Sequence, residues 1–291
     1  MHITQSLSQS QTIYSFSKLS FKHFPNQNWS DSKEVLALVQ NDLSGLDTVS
    51  STDSHITLAS WNTEYLWQAK ANYFIDTYAE IISKHHILAL QEVSQWGLAV
   101  LSQSSDYQYI VSESNNRGQA LGFLIHPRLT VTAIHEYSEL TNILGAPNLR
   151  PALRVDLLDT KSGLTLSVVT VHLKSMIGGL EFTGRIRQEQ IKQLIWALDN
   201  IKTPILIMGD FNCFLDKSFD TARLFNNGFR IANRTNHVST QCFGGRLDGL
   251  FYRDFPSNGT PKHYSVRNFW QHNSAGRSLS DHGLLTWKLL Q

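Results

Sequence analysis

The segment 205–214, ILIMGDFNCF, constrains the fold more than any other. An apolar run suited to a buried strand ends in Gly209 and is followed by Asp210 and Asn212, two residues apart. In an extended backbone that spacing sends both side chains to one side. A carboxylate and an amide beside a buried run must be hydrogen-bonded or hold an ion. A metal or a phosphate is the natural partner. Taken alone, the same letters also describe a strand ending in a turn, with Gly209 and Asp210 as punctuation and Asn212 as a cap. Recurrence tips the balance. Similar polar interruptions stand beside other strand-like runs: Asn62 and Glu64 in WNTE, Gln91-Glu92 in LQEV, His172 in VHLKS, Asp248 in RLD, and Asp281-His282 in SDH.

A chain of 291 residues has room for one large α/β domain with an N-terminal extension. With 41% hydrophobic and 17% charged residues it is globular in composition. No apolar run approaches the ~20 residues that cross a bilayer. Lys+Arg 25 against Asp+Glu 24 leaves +1, so no global basic field attracts nucleic acid and any basic surface must be local. The opening MHITQSLSQSQTIYSF lacks the pattern of a secretory leader, which makes the cytoplasm the expected compartment. A monomer is the expected state. The two cysteines, Cys213 and Cys242, are too few for a disulfide framework or a Cys-based zinc site. Reduced thiols are the first expectation for them, and a single disulfide tying neighbouring site loops is the alternative.

Residues 1–54 are rich in Ser, Gln, Asn and Asp and read as an extension with no assigned chemistry. A short helix is expected over 32–39, with Ser30 or Asp31 as its cap. From His55 the alternation of Ile56, Leu58 and Ser60 predicts a strand. A helix over 69–84, a strand at 87–90 and a helix over 94–103 follow. Strands are expected at 107–111, 120–125 and 129–134, then a loop over 137–148. The runs 152–158 and 165–173, separated by the turn 159–163, form a hairpin. Ile191, Leu194, Ile195 and Leu198, at helical spacing, mark the clearest amphipathic helix, 182–200, which feeds the strand at 205. Further strands are expected at 248–252, 263–267 and 283–289. Several hairpins with few helices argue against a doubly wound parallel sheet. The expected fold is α/β, with two mixed, mostly antiparallel β-sheets packed face to face and helices on the outer faces.

Asn62, Glu92, Asp210, Asn212 and Asp281 are oxygen donors at strand ends, a set suited to Mg²⁺ or Mn²⁺. An Asp paired with a His, as Asp248 with His282 would be, fixes the imidazole tautomer and supports its charged form. A metal to neutralise charge, a carboxylate to orient water and imidazoles to hold phosphate are the parts of phosphate-ester hydrolysis.

In this order, WNTE, LQEV, VHLKS, MGDFN, RLD and SDH resemble the motifs of the endonuclease/exonuclease/phosphatase superfamily, the fold of pancreatic-type deoxyribonuclease, over residues 55–291. The resemblance implies a four-layer sandwich with the site where the two sheets converge. It implies that Asn62 contacts metal or phosphate, that Glu92 is the main metal ligand with Glu64 and Asp281 beside it, and that Arg150 and His172 bind phosphate. It also implies that Asp210 and Asn212 orient the attacking water, and that His282 is catalytic and oriented by Asp248. The inositol polyphosphate 5-phosphatase branch fits less well, because Phe214 follows Cys213 and GGRLD replaces a Cys-Asp-Arg segment. The two cysteines resemble in placement the structural disulfide of pancreatic-type deoxyribonucleases.

The expected function is therefore a divalent-metal-dependent phosphodiesterase cutting DNA. A lipid phosphodiesterase such as a sphingomyelinase, a phosphatase of the same fold and, more distantly, a non-catalytic binding module are the alternatives. DNA is favoured because Arg150, His172 and Lys174 offer donors to a polyanion, with Arg117, Arg185, Arg187 and Arg246 extending that surface. A lipid substrate calls for exposed apolar loops, for which Phe269-Trp270 is the candidate.

Overall fold

The computed structural model describes residue 29 and residues 31–215, 219–232, 238–256, 259–269 and 279–290. Helix α1 (Ser32–Leu43) starts at Asp31, whose Oδ1 accepts the Lys33 and Glu34 amides at 2.8 and 3.2 Å. It runs past the expected end at residue 39 because Val39 and Leu43 share its buried stripe with Val35. Strand β1 (His55–Leu66) crosses through α2 (Gln68–Tyr73) and α3 (Ile75–Ile82) to the parallel β2 (Ile87–Val93). Where one helix was expected over 69–84, the chain breaks at Phe74, whose φ of −108° and ψ of 29° leave the helix while its ring is buried.

Helix α4 (Gln95–Gln103) is capped by Ser94 Oγ, which accepts the Gly97 amide at 3.0 Å. Of the next two strands, β3 (Gln108–Val111) and β4 (Ala120–Ile125), β4 pairs antiparallel with β2 and β3 pairs antiparallel with β4. Strand β5 (Leu129–Tyr137) extends into the stretch expected as loop, because it pairs with β6 (Ala152–Asp159) as far as Tyr137 opposite Ala152. Strand β7 (Thr165–His172) completes the hairpin and leads through α5 (Leu180–Leu198) to the parallel β8 (Ile205–Asp210). The chain ends with α6 (Ala222–Asn226), β9 (Arg230–Ile231), β10 (Asp248–Arg253), β11 (Lys262–Arg267) and β12 (Leu284–Leu290).

Two six-stranded sheets result, β11-β12-β1-β2-β4-β3 and β5-β6-β7-β8-β10-β9. Each holds one parallel pair near its middle and is antiparallel elsewhere. Leu58, Ile87 and Phe123 of the first sheet face Val155, Val168 and Leu206 of the second in the central core. Helices α1, α3 and α4 cover Ala59, Trp61, Leu88 and Leu90 on one outer face, and α5 covers Val169, Val171, Ile205 and Ile207 on the other. This is the four-layer α/β sandwich expected. Arg128, fully buried, holds Asp159 through Nε and Nη2 at 2.7 and 2.8 Å and donates Nη1 to the Asp53 and His55 carbonyls. The hairpin turn is thereby tied to the start of β1. Among the described residues, no helix is long and apolar enough to cross a membrane.

The parallel pairs matter for the site, because in α/β folds ligands gather beyond the carboxyl ends of parallel strands. Gln91 of β2 donates to Thr170 Oγ1 of β7 at 2.9 Å, so a buried polar bridge joins the sheets just short of those ends.

Candidate active site

Gly209 sets the geometry of β8. A Cβ there would lie 2.0 Å from the Val171 carbonyl oxygen, and its φ is 145°. Only glycine lets the two parallel strands approach so closely, which sets Asp210 opposite His172 in register. The strand stops at Asp210. Asp210 Oδ1 accepts the Asn212 amide at 2.8 Å, and Asn212, at φ 50°, donates Nδ2 to Asp210 Oδ2 and the Leu173 carbonyl, both at 3.2 Å. Asp210 and Asn212 do meet, but through a turn rather than by alternation along an extended strand. The turn and the polar cluster are one structure.

Across the sheets, Asn62 of β1 donates Nδ2 to Asp210 Oδ2 at 3.2 Å and to Glu92 Oε1 at 3.5 Å. His172 Nε2 lies 3.3 Å from Asp210 Oδ2 and 3.9 Å from Glu92 Oε1, with Arg150 Nη2 2.6 Å away. His282 Nδ1 is 2.8 Å from Asp248 Oδ2, and its Nε2 is 3.8 Å from Asp210 Oδ2. The His282 backbone is pinned at its carbonyl and at its amide. Its carbonyl accepts Trp61 Nε1 at 3.1 Å, its amide donates to Ser280 Oγ at 3.0 Å, and that hydroxyl donates to the Asn62 carbonyl at 2.5 Å.

Asn62, Glu92, Arg150, His172, Asp210, Asn212, Asp248 and His282 thus form one cluster. Asp281 stands at its rim, a third exposed, 4.0 Å from His282 Nε2. Glu64 enters through its backbone amide, which donates to Asn62 Oδ1 at 3.1 Å. Glu64, Glu92 and Asn212 all have positive φ, of 45°, 57° and 50°. Such backbone costs on the order of 1–3 kcal/mol per residue and persists where the surroundings over-determine it. Lys70 is one such support, donating Nζ to the Thr63 and Glu64 carbonyls, both at 2.8 Å.

The electrostatics divide the two imidazoles. Burial pushes the His172 pKa well below the usual histidine value, and Arg150 and His282 add to the effect, so His172 is neutral. Burial also acts to lower His282, but Asp248, Asp210, the hydrogen bond to Asp248 and Asp281 together hold it up at about 10. Burial raises Asp210 to about 7, with Asp248 in the same direction and His282, the Asn212 amide and Asn62 opposing. Burial likewise lowers Arg150, against Glu92 and Asp210. His172 Nδ1 and Arg150 Nε are buried with no hydrogen-bond partner.

Several expectations are corrected here. Arg187 is buried in α5 and committed to Asp220 at 2.6 Å, and Arg185, also in α5, pairs with Glu181 at 2.6 Å. Neither lies in a loop extending a phosphate surface. Lys174 ties its own loop, donating Nζ to the Ser175 and Ile177 carbonyls at 3.2 and 3.0 Å. Phe269 is buried edge-on against Trp61, with ring centroids 5.5 Å apart, and Trp270 lies outside the described residues. Cys213, buried, and Cys242, exposed, are reduced thiols, so the alternative of a disulfide is not realised. Gln91, Lys70 and Ser280 are supports to which the sequence assigned no role. Gln91 and Ser280 sit inside LQEV and SDH, whereas Lys70 carries no local signal.

The endonuclease/exonuclease/phosphatase family pattern matches residues 59–282, a span that takes in every member of the cluster. The chain belongs to that family. No curated protein sequence matches the chain significantly. Among solved structures, D. rerio TDP2 complexed with a single-strand DNA product is similar at 16% identity and TM-score 0.65, over 81% of this chain and 99% of that one. The human Nocturnin catalytic domain with bound sulfate shows 17% identity and TM-score 0.62, over 83% and 95%. A Bacteroides thetaiotaomicron mannosyl-6-phosphatase shows 16% identity and TM-score 0.60, over 81% and 100%. At these identities the likeness shows the fold. Endonuclease/exonuclease/phosphatase proteins are hydrolases of phosphate esters and generally depend on divalent metals, so a phosphodiesterase or phosphatase is the supported class for this chain.

Proposed function

We propose that the protein is a divalent-metal-dependent phosphodiesterase that hydrolyses its substrate by in-line attack of water. The observation that carries this reading is Asp210, set between a neutral His172 at 3.3 Å and a charged His282 at 3.8 Å. A carboxylate with a pKa raised to about 7 is suited to take the proton of an attacking water near neutral pH. Asn212 orients that carboxylate. His282, kept protonated by Asp248, meets the negative charge that develops on the phosphoryl oxygens. Arg150 and His172, held together at 2.6 Å beside Asp210, bind the non-bridging oxygens.

Three acidic or imidazole groups, Asp210, Asp248 and His282, have ligand atoms within 4.8 Å of one another. That trio is a poor place for a cation, because His282 is itself the cation there and is already paired with Asp248 at 2.8 Å. The better fit is Glu92 with Asn62, supported by Glu64 and Asp281, an oxygen set for Mg²⁺ or Mn²⁺. Bound there, the ion would neutralise phosphate charge as a Lewis acid.

DNA is the substrate the sequence favours. Arg150 beside His172, the exposed Arg117 and the likeness to a TDP2 structure holding a DNA product support it. A lipid phosphodiester is the second reading, favoured by exposed apolar loops around the site. The test is to incubate the protein with bis(p-nitrophenyl) phosphate, plasmid, single-stranded DNA, RNA and sphingomyelin, with Mg²⁺ and with chelator. Metal-dependent cleavage of a phosphodiester is the expected result; inertness toward all of them with Mg²⁺ or Mn²⁺ contradicts the reading.

A further inference from the structure

Strand β1 does not pair evenly to its end. Its register with β2 holds as far as Asn62 opposite Gln91 and resumes at Leu66 opposite Val93, so three residues of β1 stand against one of β2. Such a bulge re-aims a side chain beside a site. Glu64 and Tyr65 make it, consecutive residues at φ 45° and 63°. A bulky aromatic residue rarely takes that backbone, and glycine would fill the bulge without strain. The side chain of Tyr65 is therefore the part to be explained.

The Tyr65 ring is exposed without being loose. It lies on Trp67 with ring centroids 6.0 Å apart and planes 23° from parallel, and 37% of the residue remains exposed. Trp67 in turn is seated against the turn between β3 and β4, where a Cβ on Gly118, at φ 77°, would meet its ring at 2.8 Å. That turn is tied to the site. Asn115 Oδ1 accepts the Arg117 and Gln119 amides at 2.9 and 3.1 Å, Asn115 Nδ2 donates to the Asn148 carbonyl at 3.1 Å, and Arg150 Nη1 donates to the same carbonyl at 3.2 Å. Arg117 is exposed, and among the described residues its guanidinium has no ion pair. Burial raises the Tyr65 pKa, with Glu92 and Glu64 in the same direction and Arg117 and Arg150 opposing, so the hydroxyl is within electrostatic reach of the site on one side and of Arg117 on the other. Phe243 and Phe219, 89% and 85% exposed, have no ring partner among the described residues. Tyr65 differs from them in being a mounted π-face at the edge of a phosphate site, and such a face is what a nucleobase stacks on.

Resting on the phosphodiesterase reading, we propose that Tyr65, backed by Trp67, is the platform on which the nucleobase next to the scissile phosphate stacks, with Arg117 beside it for the following phosphate. The substrate class is then a nucleotide phosphodiester. Every base has a π-face, so the platform selects a base over none and tolerates all four.

The experiment compares wild type, Tyr65→Phe and Tyr65→Gly. KM and kcat are measured with Mg²⁺ for the thymidine 3′- and 5′-(p-nitrophenyl) phosphates and for their abasic analogues, and binding of a labelled hexathymidylate is read by anisotropy in chelator. Glycine takes φ 63° freely, so Tyr65→Gly removes the ring and keeps the backbone. In wild type the base should lower KM by about 5-fold or more in one polarity; Tyr65→Phe should keep that advantage, and Tyr65→Gly should lose it together with about 5-fold or more in hexathymidylate affinity. A wild type that gains nothing from the base overturns the proposal. So does an advantage that survives in Tyr65→Gly, or one that Tyr65→Phe loses, which assigns it to the hydroxyl. A Tyr65→Gly that slows nucleoside and abasic esters alike also overturns it, because a structural role or a ring that seats the sugar gives that result. If no ester is turned over while Tyr65→Gly still loses hexathymidylate affinity, the phosphodiesterase reading falls and the platform stands; if neither turnover nor ring-dependent binding is seen, both fall.

Discussion

Asp248 reaches His282 Nδ1 at 2.8 Å inside a buried cluster, and that single contact does most to keep the imidazole charged. The two residues therefore act as a unit. Asp248→Asn and His282→Ala should each lower kcat by ~10²-fold or more, and the double variant should lose little beyond the worse single one. Independent, multiplicative losses in the cycle would show the pair uncoupled. The pH profile follows from the same contacts. His282 must be protonated and its pKa stands at about 10, so activity should fall as pH rises through that value. Asp210 must be ionised and its pKa stands at about 7, so activity should fall as pH drops below it. Asp248→Asn removes the strongest group holding His282 up, and the alkaline limb should move to lower pH. An alkaline limb unmoved by Asp248→Asn would contradict this assignment.

At the scale of elements, the approach of β7 and β8 makes Gly209 the least replaceable position in the second sheet. Gly209→Ala should cost about 3 kcal/mol or more in urea unfolding, since the added Cβ meets the Val171 carbonyl at 2.0 Å. A loss below about 1 kcal/mol would show that the strands separate easily. Helix α1 is the other element with a testable part. Leu43 is fully buried against the first sheet's helical layer, and Leu43→Ala should cost about 2–5 kcal/mol if residues 31–54 fold with the sandwich. An unchanged unfolding midpoint would make the segment an appendage.

Elements also show what the sequence discloses and what it withholds. The strands carrying Asn62, Glu92, His172 and Asp210 were legible because each is an apolar run broken by one polar group, and that contrast is local. The break at Phe74 was not legible, since its ring fits the helical stripe and only tertiary packing draws it out of the helix. Arg187 was misread for a similar reason: its partner Asp220 is 33 residues away, and nothing beside Arg187 announces a buried ion pair. The exposure of Phe219 and Phe243 depends on where loops turn relative to the sheet ends. Hydrophobicity alone assigns such residues to a core.

For the whole molecule, acid should weaken the fold as well as the site. His85 is fully buried between the Ile81 carbonyl and Thr286 Oγ1, and burial lowers its pKa to about 4; His86, paired with the Thr57 amide and Ser50 carbonyl, is lowered to about 4 as well. At these two histidines the unfolded chain binds protons between about 6.5 and 4 that the folded chain refuses, so their contribution is lost as pH falls through that window, while Asp210, raised to about 7, acts in the opposite sense. His85 alone contributes up to about 3 kcal/mol of the loss. Urea unfolding near pH 7 and near pH 5 should show wild type losing more stability than His85→Asn, and equal losses in the two would contradict it. The central claim, that these converging strand ends form a metal-assisted phosphodiesterase site centred on Glu92 and Asp210, is tested most directly by titrating Mg²⁺ into metal-stripped protein while following bis(p-nitrophenyl) phosphate hydrolysis. Wild type should be inactive in chelator and regain activity with Mg²⁺, and Glu92→Gln should need about 10-fold or more Mg²⁺ while melting normally. Full activity in excess chelator, or a Glu92→Gln titration that overlays the wild type, would contradict the account.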